Sequence, residues 1–402
     1  MGKMNIPFSP PDISGEEIAN VVKVLESGWI TTGPQTKEFE KELSEYCGTN
    51  KTICLNSATA CMEMCLRMLG IGAGDEVITS AYTYTASASV IDHVNAKIVL
   101  VDNQKDSYHL SYDELERAIT PRTKAIIVVD VAGVMCDYDR IFEIIEDKRK
   151  LFQANNKMQE QWDRVVVIAD AAHSLGARYK GKMCGSVADF TSFSFHAVKN
   201  LTTGEGGALT WKSLGRSIDE TIYGTINTLS LHGQTKDALA KTQAGAWEYD
   251  IITPAYKCNM TDVQAAMGRT QLKRYENILK RRREIVKAYD KGMPKGVTTL
   301  QHVTANSDSS SHLYLTRVGG IEEAKRNEII FKMAQEGVST NVHYKPLPLF
   351  TAYKNLGFKI ADFPMAFAQY QNEITLPLYS RLTNEEVEYI ACCLCKVLEG
   401  KN

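Results

Sequence analysis

The chain has 402 residues, 44% hydrophobic and 23% charged, which is globular composition and excludes a disordered, collagen-like or coiled-coil chain. Lys+Arg is 46 and Asp+Glu is 48, a formal net charge of −2, so no broad basic surface is expected and nucleic acid is not the expected partner. The length predicts roughly two or three domains of about 150 residues and a large core.

In chain order, Met1–Glu17 lacks the charged-then-apolar pattern of an export signal, and Ile6 stands where a myristoylation motif needs Ser or Thr. Apolar runs are too short to span a bilayer. These features predict a soluble, cytoplasmic protein. Short β-branched runs predict buried strands at Lys51–Leu55, Glu76–Thr79, Lys97–Val101, Ala125–Val129 and Val165–Ala169. Helical patterns fall between several of them, at Ala58–Leu69 and Ser111–Ile119. Such alternation predicts an α/β fold with a mainly parallel sheet covered on both faces. From Asp139 to Val165 a long polar pattern reads as an insertion that extends a helix. One long helix is predicted from Thr261 to about Lys291. A second unit follows, with a strand at His312–Val318, a helix at Glu322–Gly337, a strand at Ser339–Tyr344 and a final helix from Asn384. The boundary falls near 275–295, giving a large domain over 1–280 and a small one over 281–402.

The ten cysteines include Cys61 and Cys65, one helical turn apart, and Cys392, Cys393 and Cys395. Neither spacing is that of a zinc site, and buried thiols are expected, with no metal.

Three segments carry chemistry. Asn56–Leu66 leads from a strand into a helix through Ser57, Ala58 and Thr59; free N–H groups and hydroxyls at a helix start form an anion site, or a plain N-cap. Val165–Ala177 places Asp170 at the carboxyl end of an apolar strand, where ligands sit in open α/β sheets. There it holds a ring N–H or a metal, or caps a helix. In Asp189–Leu209, Lys199 follows an alternating aromatic strand, three residues after His196 and before a Gly-rich turn. A lysine amine forms a Schiff base with an aldehyde where its surroundings favour the neutral form; elsewhere it is a surface residue. The Gly204–Gly207 turn lacks the G-K-[ST] of a P-loop, and Gly70–Gly74 lacks the spacing of a dinucleotide fingerprint.

The order of these segments, with S-F-H-x-x-K-N-L-T-T-G-E-G-G around Lys199, resembles the DegT/DnrJ/StrS family of sugar aminotransferases, pyridoxal phosphate (PLP) enzymes of fold type I like aspartate aminotransferase. The resemblance continues through Ser27–Pro34, Gly74–Ile91, Ile119–Val129, Pro254–Ala266, Val342–Leu347 and Ile374–Ile390. It implies that Lys199 is the Schiff-base lysine and proton carrier, and that Asp170 pairs with the pyridine nitrogen. It implies further that Tyr84 stacks on the ring, that His173 lies near the ring oxygen, and that Ser57, Ala58, Thr59 and Ser194 hold the phosphate. Ala255–Met260 reads A-Y-K-C-N-M where many members read G-Y-N-x-R-M. This form resembles the branch that includes the UDP-4-amino-4-deoxyarabinose aminotransferase, and implies that Asn259 reaches the phosphate from the partner subunit of a homodimer with shared active sites. Relatives with histidine in place of the lysine dehydrate instead of transaminating; here the lysine is present.

The resulting expectation is transfer of the L-glutamate amine to a nucleotide-linked 4-keto sugar carrying UDP, giving a 4-amino sugar nucleotide and 2-oxoglutarate. The alternatives are a PLP-dependent sugar dehydratase or other fold-type I enzyme, C3 amination of a dTDP-keto sugar, and a non-catalytic binding protein on the same scaffold. Substrate contacts are expected at Trp29, Thr31, Thr32 and Gly33, then at His312 and His343, each histidine having a packing role as its alternative.

Overall fold

A computed structural model describes residues 3–236 and 248–400. Two N-terminal helices, α1 (Gly15–Glu26) and α2 (Pro34–Cys47), precede the first strand, β1 (Thr52–Leu55). The chain then alternates: α3 (Ala58–Met68), β2 (Glu76–Ser80), α4 (Ala86–His93), β3 (Lys97–Val101), α5 (Tyr112–Ala118), β4 (Thr123–Val129), α6 (Tyr138–Asp147) and β5 (Val166–Asp170). Strands β6 (Phe190–Ser194) and β7 (Gly207–Trp211) complete one seven-stranded sheet in the order β1-β7-β6-β5-β4-β2-β3. Pairings from β3 through β6 are parallel, while β7 runs antiparallel to both β1 and β6.

The apolar runs predicted as strands are buried on both faces. Val166 and Ile168 of β5 join one core cluster with α3 and α4, and Val167 and Ala169 join the other with α2 and α6. The period of two along a strand produces this division. Covering helices continue with α7 (Arg216–Ser230), α8 (Asp262–Lys273) and α9 (Tyr275–Gly292).

The C-terminal part has its own antiparallel sheet of β8 (Val297–Thr299), β9 (Tyr314–Val318) and β10 (Glu373–Leu376), with helices α10 (Glu323–Gln335), α11 (Thr351–Asn355), α12 (Pro364–Gln371) and α13 (Asn384–Leu398). A third core cluster packs Ile285, Tyr289, Tyr314, Met333 and Leu394 around Ile6, which comes from the N-terminus. Ile6 is fully buried and bonds to Gly337 and Ser339. The boundary expected at 280/281 falls inside α9.

Three expected elements differ. The polar segment after Asp139 does not extend a helix: α6 ends at Asp147, and only short 3-10 turns follow. Asn156 Oδ1 accepts the N–H groups of Met158 and Gln159, an alternative to helix bonding. The long helix from Thr261 is two helices, broken at Arg274, whose guanidinium is held by Asp12 and Glu17. Ser339–Tyr344 is not a strand; it makes a single bridge, Asn341 to Thr375, and the next N–H groups, of Val342 and His343, go to the side chains of Asn341 and Glu373 instead of to a ladder. No helix among the described residues is long and apolar enough to cross a membrane.

Candidate active site

The carboxyl ends of β4, β5 and β6 and the start of α3 open into one cavity of about 480 Å³. Its wall includes Ser57, Ala58, Thr59, Tyr84, Asp170, His173, Ser194, Lys199 and His343, nine of the residues singled out in the sequence, together with Tyr344.

Asp170 is the last residue of β5 and is 6% exposed. Its Oδ2 accepts the Ser87 hydroxyl at 2.6 Å and its Oδ1 the Ala172 N–H at 3.3 Å. Burial pushes its carboxyl above the ordinary aspartate value, opposed by Ser87, the Ala172 N–H and the Lys199 charge. Lys199 lies beyond β6, its N–H bonded to the His196 carbonyl at 2.9 Å. Protein encloses most of its side chain, and this desolvation pushes the ammonium down to about 8 although Asp170 pulls the other way. A lysine so placed supplies neutral amine near neutral pH.

The first turn of α3 is shaped for an anion. Ser57 is the N-cap, and its Oγ accepts the Ala60 N–H at 3.1 Å. The N–H groups of Ala58 and Thr59 have no carbonyl within their helix to bond. Ser192 Oγ donates to the Ala58 carbonyl at 3.0 Å and fixes this turn over β6. Gly207 lets β7 pass beneath: a Cβ there would stand 2.5 Å from the Ala58 nitrogen.

His173 Nδ1 accepts the Ala132 N–H at 3.1 Å, so the ring proton sits on Nε2, which is 3.0 Å from the Tyr344 hydroxyl. Burial, then the Lys199 charge, hold this ring neutral. His312 does not line the cavity. It packs behind His173 with ring centroids 4.3 Å apart, and its Nδ1 lies 2.8 Å from Asn200 Oδ1, the packing alternative. His343 does line the cavity. Tyr84 is 62% exposed on the rim.

Trp29, Thr31, Thr32, Gly33 and Asn259 do not line this cavity; they form a separate unit. Asn259 Nδ2 donates to Thr32 Oγ1 at 2.6 Å, and Trp29 Nε1 to the Thr32 carbonyl at 3.2 Å. Asp262 accepts the Gly33 N–H at 2.8 Å and gives its own N–H to Thr31. Sequence reading missed Ser87 and Tyr344. Each sits beside a residue that was singled out, Ser87 three positions after Tyr84 and Tyr344 next to His343, but neither type announces a role by spacing alone.

An amine held near neutrality, a buried carboxylate at a strand end, and an anion cradle with a close-approach glycine lie on one cavity wall. This donor set fits a phosphorylated pyridine aldehyde: the cradle would suit the phosphate, Asp170 a ring N–H, and Lys199 the aldehyde. Among the described residues, no cluster of three or more His, Cys, Asp or Glu could hold a metal.

Comparison with known proteins agrees. The model of the DegT/DnrJ/EryC1/StrS aminotransferase family matches residues 11–395. A candidate sugar aminotransferase of Streptococcus pneumoniae, Spr1654, solved in its PMP form, is 56% identical with TM-score 0.96, covering 99% of this chain and 100% of that one. The same protein is solved in its PLP form. The spore coat polysaccharide biosynthesis protein SpsC of Bacillus subtilis is 37% identical over 98% of this chain and 97% of its own. PseC of Helicobacter pylori, an aminotransferase of pseudaminic acid biosynthesis, is 26% identical with TM-score 0.86, covering 99% of this chain and 100% of that one. The chain belongs to the DegT/DnrJ/EryC1/StrS aminotransferase family and is a PLP-dependent sugar aminotransferase.

Proposed function

We propose that this enzyme moves the amine of L-glutamate to the 4-keto carbon of a nucleotide-linked sugar, with UDP as the nucleotide. The observation that carries the reading is Lys199 beside Asp170 on one cavity wall, with the amine pushed down to about 8. Bound there, PLP supplies an aldehyde for amine capture and a ring that withdraws electrons from the amine-bearing carbon. Lys199 Nζ takes the proton from that carbon and returns it, as a neutral amine near working pH can. Asp170, held by Ser87 and the Ala172 N–H, keeps a proton on the ring nitrogen. Ser57, Ala58, Thr59 and Ser194 would hold the phosphate, and Tyr84 would cover the ring.

The unit of Trp29, Thr31, Thr32, Gly33 and Asn259 acts in the other subunit's site: the enzyme is a homodimer, Asn259 reaches the partner's phosphate, and the Trp29–Gly33 turn approaches the sugar. Its separation from the cavity of its own chain supports this, because residues that serve a partner's site need not line their own. The work is cytoplasmic, where glutamate and nucleotide sugars are found. The division at 280/281 stands as a proposal.

The test is the visible absorption of PLP-loaded protein before and after L-glutamate alone. Loss of the cofactor band with release of 2-oxoglutarate is expected. An unchanged band overturns the donor or the reaction class. UDP- and dTDP-linked keto sugars, offered next to the aminated enzyme, test the acceptor: recovery of the band with UDP-4-keto sugars is expected, and recovery only with a dTDP-3-keto sugar overturns the assignment.

A further inference from the structure

A chain of three hydrogen-bonding groups leads from the interior of the C-terminal sheet to the wall of the cofactor cavity. Glu373 and Thr375 are two residues apart on β10 and so share one face; both are fully buried. Glu373 Oε2 accepts the backbone N–H of His343 at 2.8 Å, and its Oε1 lies 2.6 Å from Thr375 Oγ1. Thr375 Oγ1 is in turn 2.9 Å from His343 Nδ1. The His343 ring stacks on Phe8 at 5.8 Å and meets Tyr344 edge-on at 5.0 Å, which fixes its plane. It lines the cavity that holds Lys199. With Nδ1 facing Thr375, Nε2 is the ring nitrogen left for a ligand.

A threonine hydroxyl has one hydrogen, so between two partners it donates to one and accepts from the other. With Glu373 ionised, the hydroxyl donates to Oε1 and accepts from Nδ1–H, and Nε2 presents a bare lone pair. With Glu373 protonated on Oε1, the carboxyl donates to Thr375, Thr375 donates to Nδ1, and Nε2 carries the hydrogen. Between the two settings each hydrogen stays in its own hydrogen bond and changes owner, while one proton enters or leaves at Nε2. We propose that Glu373 and Thr375 are positioning residues that set the tautomer of His343, so that one proton on Glu373 decides whether Nε2 gives or accepts a hydrogen bond at the cavity.

The surroundings support a change within the working range. Burial lifts the Glu373 carboxyl to about 8 against the pull of Thr375, the His343 N–H and Arg326. Burial, then the Lys199 charge, push the His343 ring down to about 3, so it remains neutral in both settings. Arg326 on α10 spends its guanidinium on the carbonyls of Tyr370 and Glu373, the Glu323 carboxylate lying beside it. Arg317 on β9, paired with Glu373 in register, turns to Asn372 and Asp106. The phenols of Tyr82, Tyr108 and Tyr344 around the carboxyl are pushed up by burial and stay protonated. His173, on the cavity wall, and His312, packed behind it, are held neutral by burial.

The use of the switch rests on the proposed two-substrate reading: a carboxylate of the amino donor takes a hydrogen bond from Nε2–H, and a sugar hydroxyl gives one to the bare nitrogen. The tautomer itself does not depend on that reading. The experiment is long-range proton–nitrogen NMR of PLP-loaded protein with labelled histidine, from about pH 6 to about pH 10, across the range in which a perturbed group of this kind titrates. The His343 signals are identified by their loss in His343→Gln. In the wild type, the two ring nitrogens should exchange pyrrole-like and pyridine-like shifts with a midpoint near 8, with no imidazolium. Glu373→Gln, whose amide both accepts from His343 and donates to Thr375, should hold the Nε2–H form at every pH. Thr375→Val should abolish the coupling, and Thr375→Ser should restore it. A wild-type tautomer that does not change with pH, or an unaltered midpoint in Glu373→Gln, overturns the proposal. Failure of the substrate reading shows separately, as absent amine transfer with the tautomer change intact.

Discussion

At the scale of single residues, the site works through burial that tunes charge. In its proposed role Lys199 would attack an aldehyde only as the neutral amine, so the rate at which cofactor-free protein captures PLP should rise with pH and be half-maximal near 8. Stopped-flow absorbance measures this; a midpoint at the ordinary lysine value of about 10.4 would sink the idea. Below the midpoint Lys199 is protonated and capture slows, and Lys199→Arg should capture none at any pH. Asp170→Asn removes a charge that burial disfavours, so the unliganded protein should melt at the same temperature or higher. Turnover should nevertheless fall by on the order of 10²-fold or more, because the ring nitrogen loses its anionic partner. Parallel measurement of Tm and kcat separates the two effects. Asp170 was legible in the sequence because an apolar strand delivers it at its carboxyl end. Ser87, which holds it, was not, because its hydroxyl meets the carboxylate across 83 positions of chain. His312 shows the opposite case, a histidine in a recognised segment that the fold spends on packing behind His173.

At the scale of elements, close packing at the start of α3 makes the anion cradle. Gly207→Ala would press a Cβ against the backbone of Ser57 and Ala58, forcing β7 and α3 apart. Overpacking of this kind costs about 1–3 kcal/mol, and here it should also weaken PLP binding, measured by cofactor titration beside thermal melting. A loss of stability with unchanged PLP affinity would show that the cradle does not hold the phosphate. The segment after α6 gives the contrasting case. Gln159 is buried, donates to the Leu69 carbonyl at 3.0 Å and accepts the Asn155 N–H, while Trp162 packs on Phe190. It closes the C-terminal end of α3, remote from the cavity. Gln159→Ala should therefore cost about 1–3 kcal/mol and leave kcat unchanged. The strands β1 to β6 and β9 and the helices α3, α5, α10 and α13 were legible from apolar period, whereas β7, β8, β10 and the helices α1, α2, α4 and α7 were not read. The break at Arg274 was not, since both flanking segments favour helix and the groups that hold the Arg274 side chain at the junction, Asp12 and Glu17, lie far away in the chain.

For the whole molecule, the α/β class followed from the alternation of buried strands with amphipathic helices, but the route of the N-terminus did not, because its pairing with residues near 338 leaves no local pattern. That route runs from the C-terminal core to the edge of the active site. Ile6 fills the C-terminal core and bonds to Gly337 and Ser339. Phe8 stacks on His343, and Ser9 Oγ donates to the carbonyl of Val198, the residue before Lys199. Asp12 then accepts from Arg274 and, at 2.5 Å, from Ser380. Deleting residues 1–8 would uncover the Ile6 site and break two backbone hydrogen bonds, a loss of about 3–5 kcal/mol from burial and bonding together. Two single variants divide that effect. Ile6→Ala should lower Tm, with its cavity cost of about 2–5 kcal/mol, and leave KM unchanged. Phe8→Ala, on a half-buried ring, should barely move Tm and yet raise KM, because His343 loses the stack that fixes its plane. Thermal melting and steady-state kinetics on the same samples decide it. Should Phe8→Ala leave KM where it was, the N-terminal strap serves stability alone and His343 is held by Thr375 and Glu373 without it.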